Sequence, residues 1–339
     1  MSSDKRCFFF YITFTSLFYI VIIFIKSYFS IILKGMVIYM TEEKKGMISA
    51  ILAYVIWGFF PIYWKVLEHV NSMEILLNRI IWSFVFTTIF ILIIGQKNQL
   101  IIDLKRLWQN KKIFFSLMLA SFVISCNWFL YIWAVTNDHV VETSLGYYIN
   151  PLITVLFGVL FFKERLSKAQ LVAVFIAFIG VGLMAIRYGK IPWVALGVAF
   201  SFAIYGALKK KIQLDATRGL AIETLFILPF ALVFYIYLMS TSGTSFLQID
   251  RKTDFFLILG GIVTAYPLIL FAKGAKALPQ SVLGFIQYLC PTIVLILGTV
   301  FYHEPFTNVE FISFSFIWLA IIIFSLSTIL ENRKKRSLA

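Results

Sequence analysis

Residues 146–166 read GYYINPLITVLFGVLFFKERL, and residues 284–306 read GFIQYLCPTIVLILGTVFYHEPF. Setting residue n against n + 140 places Tyr148 on Tyr288, Pro151 on Pro291, Gly158 on Gly298, Phe161 on Phe301 and Glu164 on Glu304, with a two-residue slip at the leading glycine. Upstream, Trp57-Gly58 matches Tyr205-Gly206. Each string carries an apolar run of the ~20 residues that a helix needs to cross a bilayer. A chain that repeats such a run is built from internal copies, and the arrangement of those copies decides the fold.

Composition agrees with a membrane solvent. Of 339 residues, 61% are hydrophobic and only 14% charged, against about 45–50% and roughly 25% in a soluble domain. A water-soluble enzyme and a disordered chain are both excluded. Apolar runs predict ten spans: Met47–Leu67, Ser72–Gly95, Ile113–Val135, Val141–Phe162, Ala169–Ile186, Pro192–Leu208, Gly219–Met239, Asp254–Ala272, Ser281–Tyr302 and Val309–Leu330.

The net charge of +14 would suggest nucleic acid in a soluble chain. Here the cations sort by loop instead. Segments on the side of Lys44 and Lys45 hold twenty Lys and Arg, and the opposite segments hold four: Arg187, Lys190, Arg251 and Lys252. Positive residues stay on the cytoplasmic side, so the expectation is a multi-pass protein of a bacterial inner membrane. Its amino terminus, counted from Met40, and its carboxyl terminus both face the cytoplasm, and nucleic acid is not a partner.

Five spans per half is an odd number, so the second half sits upside down relative to the first. The expected domains are a first repeat over 46–187, an inverted second repeat over 191–330 and a basic cytoplasmic tail over 331–339. Lys163-Glu164-Arg165 falls inside, whereas His303-Glu304-Pro305 falls outside and lacks the two strong cations. Inverted repeats about an axis in the membrane plane are characteristic of secondary transporters.

Two further segments have distinct readings. Residues 1–39 form an apolar extension with no signal-peptide cleavage pattern. The expectation is that translation begins at Met36 or Met40; a spanning extension would instead make eleven helices. Between the second and third spans, Leu100, Ile101, Leu104, Leu107 and Trp108 recur at helical spacing beside Lys105, Arg106, Lys111 and Lys112. That pattern predicts an interfacial helix lying on anionic lipid.

Candidate site residues follow from polarity within the spans. Pro151 and Pro291 each remove a helical hydrogen bond and free a carbonyl four residues earlier, those of Tyr147 and Gln287. Interrupted helices at matching places in two halves mark the substrate region of such folds. Thr143, Tyr147 and Asn150 share one face of the fourth span, with Gln287, Tyr288 and Pro291 in the ninth. Asn127 and Tyr131 share a face of the third span. Glu74, Arg79 and Glu142 are candidates for gating or coupling, because an ionisable group in a span is a functional suspect by default. Arg79 lies roughly 10 Å into its span at 1.5 Å per residue. It needs Glu74, Glu142 or a substrate carboxylate or phosphate to neutralise it. Gly58, Gly146, Gly284 and Gly298 permit close helix contact.

Chemistry of other kinds finds no footing. His69, His139 and His303 fall on different loops without metal-ligand spacing, and Cys7, Cys126 and Cys290 show no CxxC pattern. No GxxxxGK[ST] loop is present. The expectation is a non-enzyme without metal or cofactor.

The strings AYVIWGFFPIYWK, EILLNRIIWS, NWFLYIWAV, ETSLGYYINPL, FFKERLS, AFSFAIYGALKKK and GFIQYLCPTI together resemble the RarD family. That family is a branch of the EamA-type transporters in the drug/metabolite transporter superfamily. The resemblance covers residues 46–330 and implies an all-α integral membrane fold of ten helices, in two inverted five-helix halves around a central cavity. Family members carry names linked to chloramphenicol sensitivity. Asn78 stands where the family pattern has His. The function expected is a secondary transporter that exports small metabolites or drugs by alternating access. A non-transporting sensor or assembly protein and a membrane-embedded lipid-modifying enzyme are the alternatives, and a homo-oligomer stays open.

Overall fold

Hydrophobic runs bounded by caps and charges become helices, and the structure, a computed structural model, describes residues 41–136, 140–189, 191–212, 214–301 and 307–337. Side chains of residues 132, 135–136, 140–144, 188 and 332–337 are outside that description. Residues 1–39, and with them the late-start expectation, also lie outside the described residues. Gly46–Ala339 form one unit, and Thr41–Lys45 opens the first helix.

Among the described residues, ten helices are long and apolar enough to cross a membrane. They run Glu42–Lys65, Ser72–Ile93, Lys111–Tyr131, Leu145–Phe162, Lys168–Arg187, Trp193–Lys211, Ala216–Thr241, Arg251–Ala277, Gln280–Phe301 and Asn308–Glu331. Local chemistry sets their starts. The Asn71 side chain accepts from the backbone of Met73, and that of Asp215 from Thr217 and Arg218. Ser167 and Gln170 form a reciprocal capping box at the fifth span.

Proline effects are uneven. The first span breaks between Gly58 and Phe60, just before Pro61, and the ninth breaks at Tyr288, three residues before Pro291. The fourth span runs unbroken through Pro151, correcting the expectation of interrupted helices at both matching sites. Pro229 and Pro267 likewise sit inside continuous helices. A proline bends or breaks a helix according to what packs beside the freed carbonyl.

Helix pairing obeys the repeat. Adding five to each span number turns one contact into another. The third span packs on the sixth through Ala134, Val194 and Val198, and its mate is the eighth on the first. There, a Cβ built on Gly274 would stand 2.8 Å from that of Ala50, so the two helices approach through small residues. Three contacts map onto themselves. Leu76, Leu77 and Ile80 of the second span meet Ala231 and Leu238 of the seventh. Ala173, Ala177 and Val181 of the fifth meet Ile317, Ala320 and Phe324 of the tenth. Gly284 of the ninth lies against the Pro151 carbonyl of the fourth.

The segment between the second and third spans forms the helix Lys97–Gln109, as its spacing predicts. It docks through Asp103, which accepts from Arg218 Nε at 2.6 Å, while Arg218 also donates to Gln96 at 2.6 Å. Leu107 is buried, and Trp108 projects outward.

Candidate functional site

The centre of interest is Arg79, two turns into the second span. Its Nε donates to Thr264 Oγ1 of the eighth span at 2.9 Å. The indoles of Trp64 and Trp128 lie against the guanidinium, with centroids 4.8 and 5.1 Å from Cζ. The ionisable groups acting on it are the hydroxyls of Tyr147, Tyr131 and Tyr63. Tyr63 is itself held by donating to the Phe256 carbonyl. Tyr131 and Tyr147 stand 6.1 Å apart, centroid to centroid. Tyr147 is 43% exposed, with Arg79, Tyr131 and Cys290 nearby.

Glu74 does not pair with Arg79. It is buried, and its carboxylate accepts the backbone N–H groups of Ser245 and Phe246 at 2.8 Å. Five residues at about 100° each place the two side chains about 140° apart around the helix. Glu74 therefore anchors the loop between the seventh and eighth spans, and Arg79 keeps no carboxylate among the described residues. Asn78, one residue earlier, donates to the Glu74 carbonyl and accepts from Trp82 Nε1. The side chains of Glu142 and Thr143 lie outside the described residues.

Deeper lies a neutral polar cluster. Asn150 Nδ2 donates to the Ala199 carbonyl at 2.9 Å, and Thr154 Oγ1 stands 3.4 Å from both Asn150 Oδ1 and Gln287 Oε1. The Tyr54 hydroxyl is buried beside Gln287, with no partner at hydrogen-bond geometry among the described residues. Pro151 and Pro291 are buried in the helix contacts around this cluster.

Two expected pathway residues turn elsewhere. Asn127 donates to the Val198 carbonyl and to Ser201 Oγ, both at 2.8 Å, and so joins the third span to the sixth. Tyr131, four residues on, faces Arg79 instead. Tyr288 is 1% exposed and packs with Phe285 in the core shared by the fourth, fifth, ninth and tenth spans. Neighbouring helical residues point about 100° apart, so Tyr288 faces this core while Gln287 faces the polar cluster.

Ion pairs gather at the end of the molecule that bears both described termini. Lys209 and Glu223 are 3% and 2% exposed and pair at 2.6 Å, and Tyr205 donates to the same carboxylate at 3.1 Å. Glu223, near the start of the seventh span, is therefore buried rather than hydrated. A cue existed in the run Lys209-Lys210-Lys211, where three neighbours about 100° apart cannot all face water. A small cavity beside this pair is lined by Ile80, Ser125, Trp128, Tyr205 and Glu223. Glu164 ties the ends of the fourth, sixth and ninth spans. It accepts from the Gln280 and Ser281 backbones at 2.6 and 2.9 Å and from Lys210 at 3.1 Å.

Ten crossing helices in two matching halves, with a polar site at mid-depth, define a multi-pass membrane transporter. The model of the EamA-like transporter family matches twice, over residues 44–186 and 190–326. The chain is 46% identical over 298 residues to the uncharacterized transporter YojE of Bacillus subtilis, covering 87% of this chain and 98% of that one. It is 40% identical over 294 residues to protein RarD of Escherichia coli K12, covering 86% and 98%. A chloramphenicol-sensitive protein RarD of Pseudomonas aeruginosa is 26% identical over 284 residues, covering 84% and 94%. One solved structure, titled only as the crystal structure of a protein, superposes with a TM-score of 0.65 at 15% identity, covering 83% and 97%; it speaks for the fold alone. The chain belongs to the EamA-like transporter family, in its RarD branch.

Proposed function

We propose that the chain exports a small amphipathic metabolite or drug across a bacterial inner membrane by alternating access. The observation that carries this reading is the half-exposed Tyr147 beside Arg79, a cation roughly 10 Å inside an apolar span with no carboxylate partner among the described residues. A polar, water-reachable site at that depth serves a solute better than it serves packing. The ion pairs of Glu164, Lys209 and Arg218 at one end support a conformation closed on that side. The excess of cations in the same loops supports placing that side, with both described termini, in the cytoplasm. Tyr147, Asn150 and Gln287 then line the route, and the amphipathic helix Lys97–Gln109 rests on anionic lipid.

The test compares small molecules released by cells carrying the wild type, the Tyr147→Ala variant or an empty vector, at equal membrane levels of the two proteins. Enrichment of a compound outside only with the wild type establishes export. Enrichment inside would reverse the direction, and identical profiles in all three strains would count against transport by this chain.

A further inference from the structure

Arg79 is left with most of its hydrogen-bonding capacity unused. A guanidinium carries five N–H donors in a planar fork, and one of them, on Nε, reaches Thr264. The four N–H groups of the terminal nitrogens have no acceptor among the described residues, and neither nitrogen is a sealed, unsatisfied atom. They are open to whatever occupies the space beside Tyr147. The rings of Trp64 and Trp128 pack against the guanidinium carbon at 4.8 and 5.1 Å, so the terminal N–H groups along the guanidinium edge are what a ligand would use.

We propose that this edge binds the carboxylate of a flat organic monoanion, whose apolar body lies against Tyr131 and Tyr147. The inference rests on the transport reading and adds a substrate class to it. Three features select the class. Two coplanar carboxylate oxygens match the guanidinium fork in a bidentate pair. A single cation whose ionisable neighbours among the described residues are tyrosines balances one negative charge, not the two of a phosphate ester. The two tyrosine rings offer an apolar wall at the exposed side of the site, where a ring or short chain replaces water.

The experiment uses the purified full chain in detergent and measures binding by calorimetry. The probes are benzoate, phenylacetate, cinnamate and indole-3-acetate, each paired with its neutral primary amide. Saturable binding of at least one acid, about tenfold or more tighter than its amide, is expected. Arg79→Lys keeps the charge but not the fork and should cost about tenfold in acid affinity. Arg79→Gln should erase the preference for acid over amide. Equal binding of acid and amide by the wild type, or no saturable acid binding across the series, overturns the proposal without needing any variant to fold. An acid preference that survives Arg79→Gln also overturns it. The two readings fail separately: export that Tyr147→Ala abolishes and Arg79→Gln leaves intact keeps the transporter and removes the anion site.

Discussion

The carboxylate of Glu164 caps the helix that begins near Ser281, 117 residues away. Glu164 Oε2 accepts from the Ser281 backbone at 2.9 Å and from its hydroxyl at 2.8 Å. A carboxylate at a helix amino terminus satisfies orphan N–H groups and complements the dipole. Here the cap comes from the fourth span and the helix is the ninth, its mate in the other half, so one residue couples the two repeats. Lys210 completes the joint by donating to both Glu164 and the Leu278 carbonyl.

Removing this cap should loosen one end of the molecule. Glu164→Ala is expected to cost about 2 kcal/mol of stability and to speed labelling of a cysteine placed at Leu278 by a water-soluble thiol reagent. Ser281→Ala keeps the backbone donor and should cost about 1 kcal/mol or less. Equal melting temperatures for Glu164→Ala and wild type would remove the residue from this role.

The same cap has a pH signature. Burial pushes the Glu164 carboxyl upward, but the Ser281 and Gln280 N–H groups, the Ser281 hydroxyl and Lys210 outweigh it and hold the group below the usual carboxylate range. A depressed folded value means that the stabilisation is present above the ordinary glutamate pKa and is lost as pH falls through the folded one. Thermal stability of the wild type should therefore drop below about pH 4.5 more steeply than that of Glu164→Gln. Parallel pH profiles for the two proteins would refute this.

The Lys209–Glu223 pair should behave as a buried unit. Lys209→Met strands the Glu223 carboxylate and is expected to destabilise the protein by about 3–5 kcal/mol. Adding Glu223→Gln should recover most of that loss, because no buried charge then lacks a partner. A double-mutant cycle on thermal or denaturant unfolding gives the coupling, and purely additive effects would contradict the geometry.

Gly284 is set by the contact between the fourth and ninth spans. An added Cβ would fall 2.8 Å from the Pro151 carbonyl oxygen and 2.9 Å from Val155 Cγ2. Gly284→Ala should therefore cost about 1–3 kcal/mol by overpacking. Gly182→Ala, where nothing lies within 4 Å, should be neutral or slightly stabilising in its helix. The two melting curves, compared side by side, check the contact.

Tyr147 and Tyr288 separate route from core. Tyr147→Ala and Gln287→Ala should lower transport while the folded protein stays in the membrane. Tyr288→Ala should instead lower stability by about 3–5 kcal/mol, the range for emptying a large aromatic site. Full transport by both of the first two variants would take Tyr147 and Gln287 off the route.

Hydropathy is a property of neighbours along the chain, and so the ten crossings, the amphipathic helix at Lys97–Gln109 and the five-plus-five repeat were all readable from the sequence. The repeat also requires any pair formed in one half to recur, inverted, in the other, but does not fix which helices form it. Side-chain partners were another matter. Arg79 was visibly out of place in its span, yet its cage of Trp64, Trp128, Tyr131 and Tyr147 comes from three other spans and has no signature in spacing. Glu74 looked like its counterion because it is close in sequence, but helical rotation turns it toward Ser245. Glu164 found its partners 116 and 117 residues away, and Lys209 reached Glu223 across a helix gap. Crossing a membrane is decided within each ~20-residue segment, whereas pairing a charge depends on which helices pack and how each is rotated; only the tertiary structure settles that.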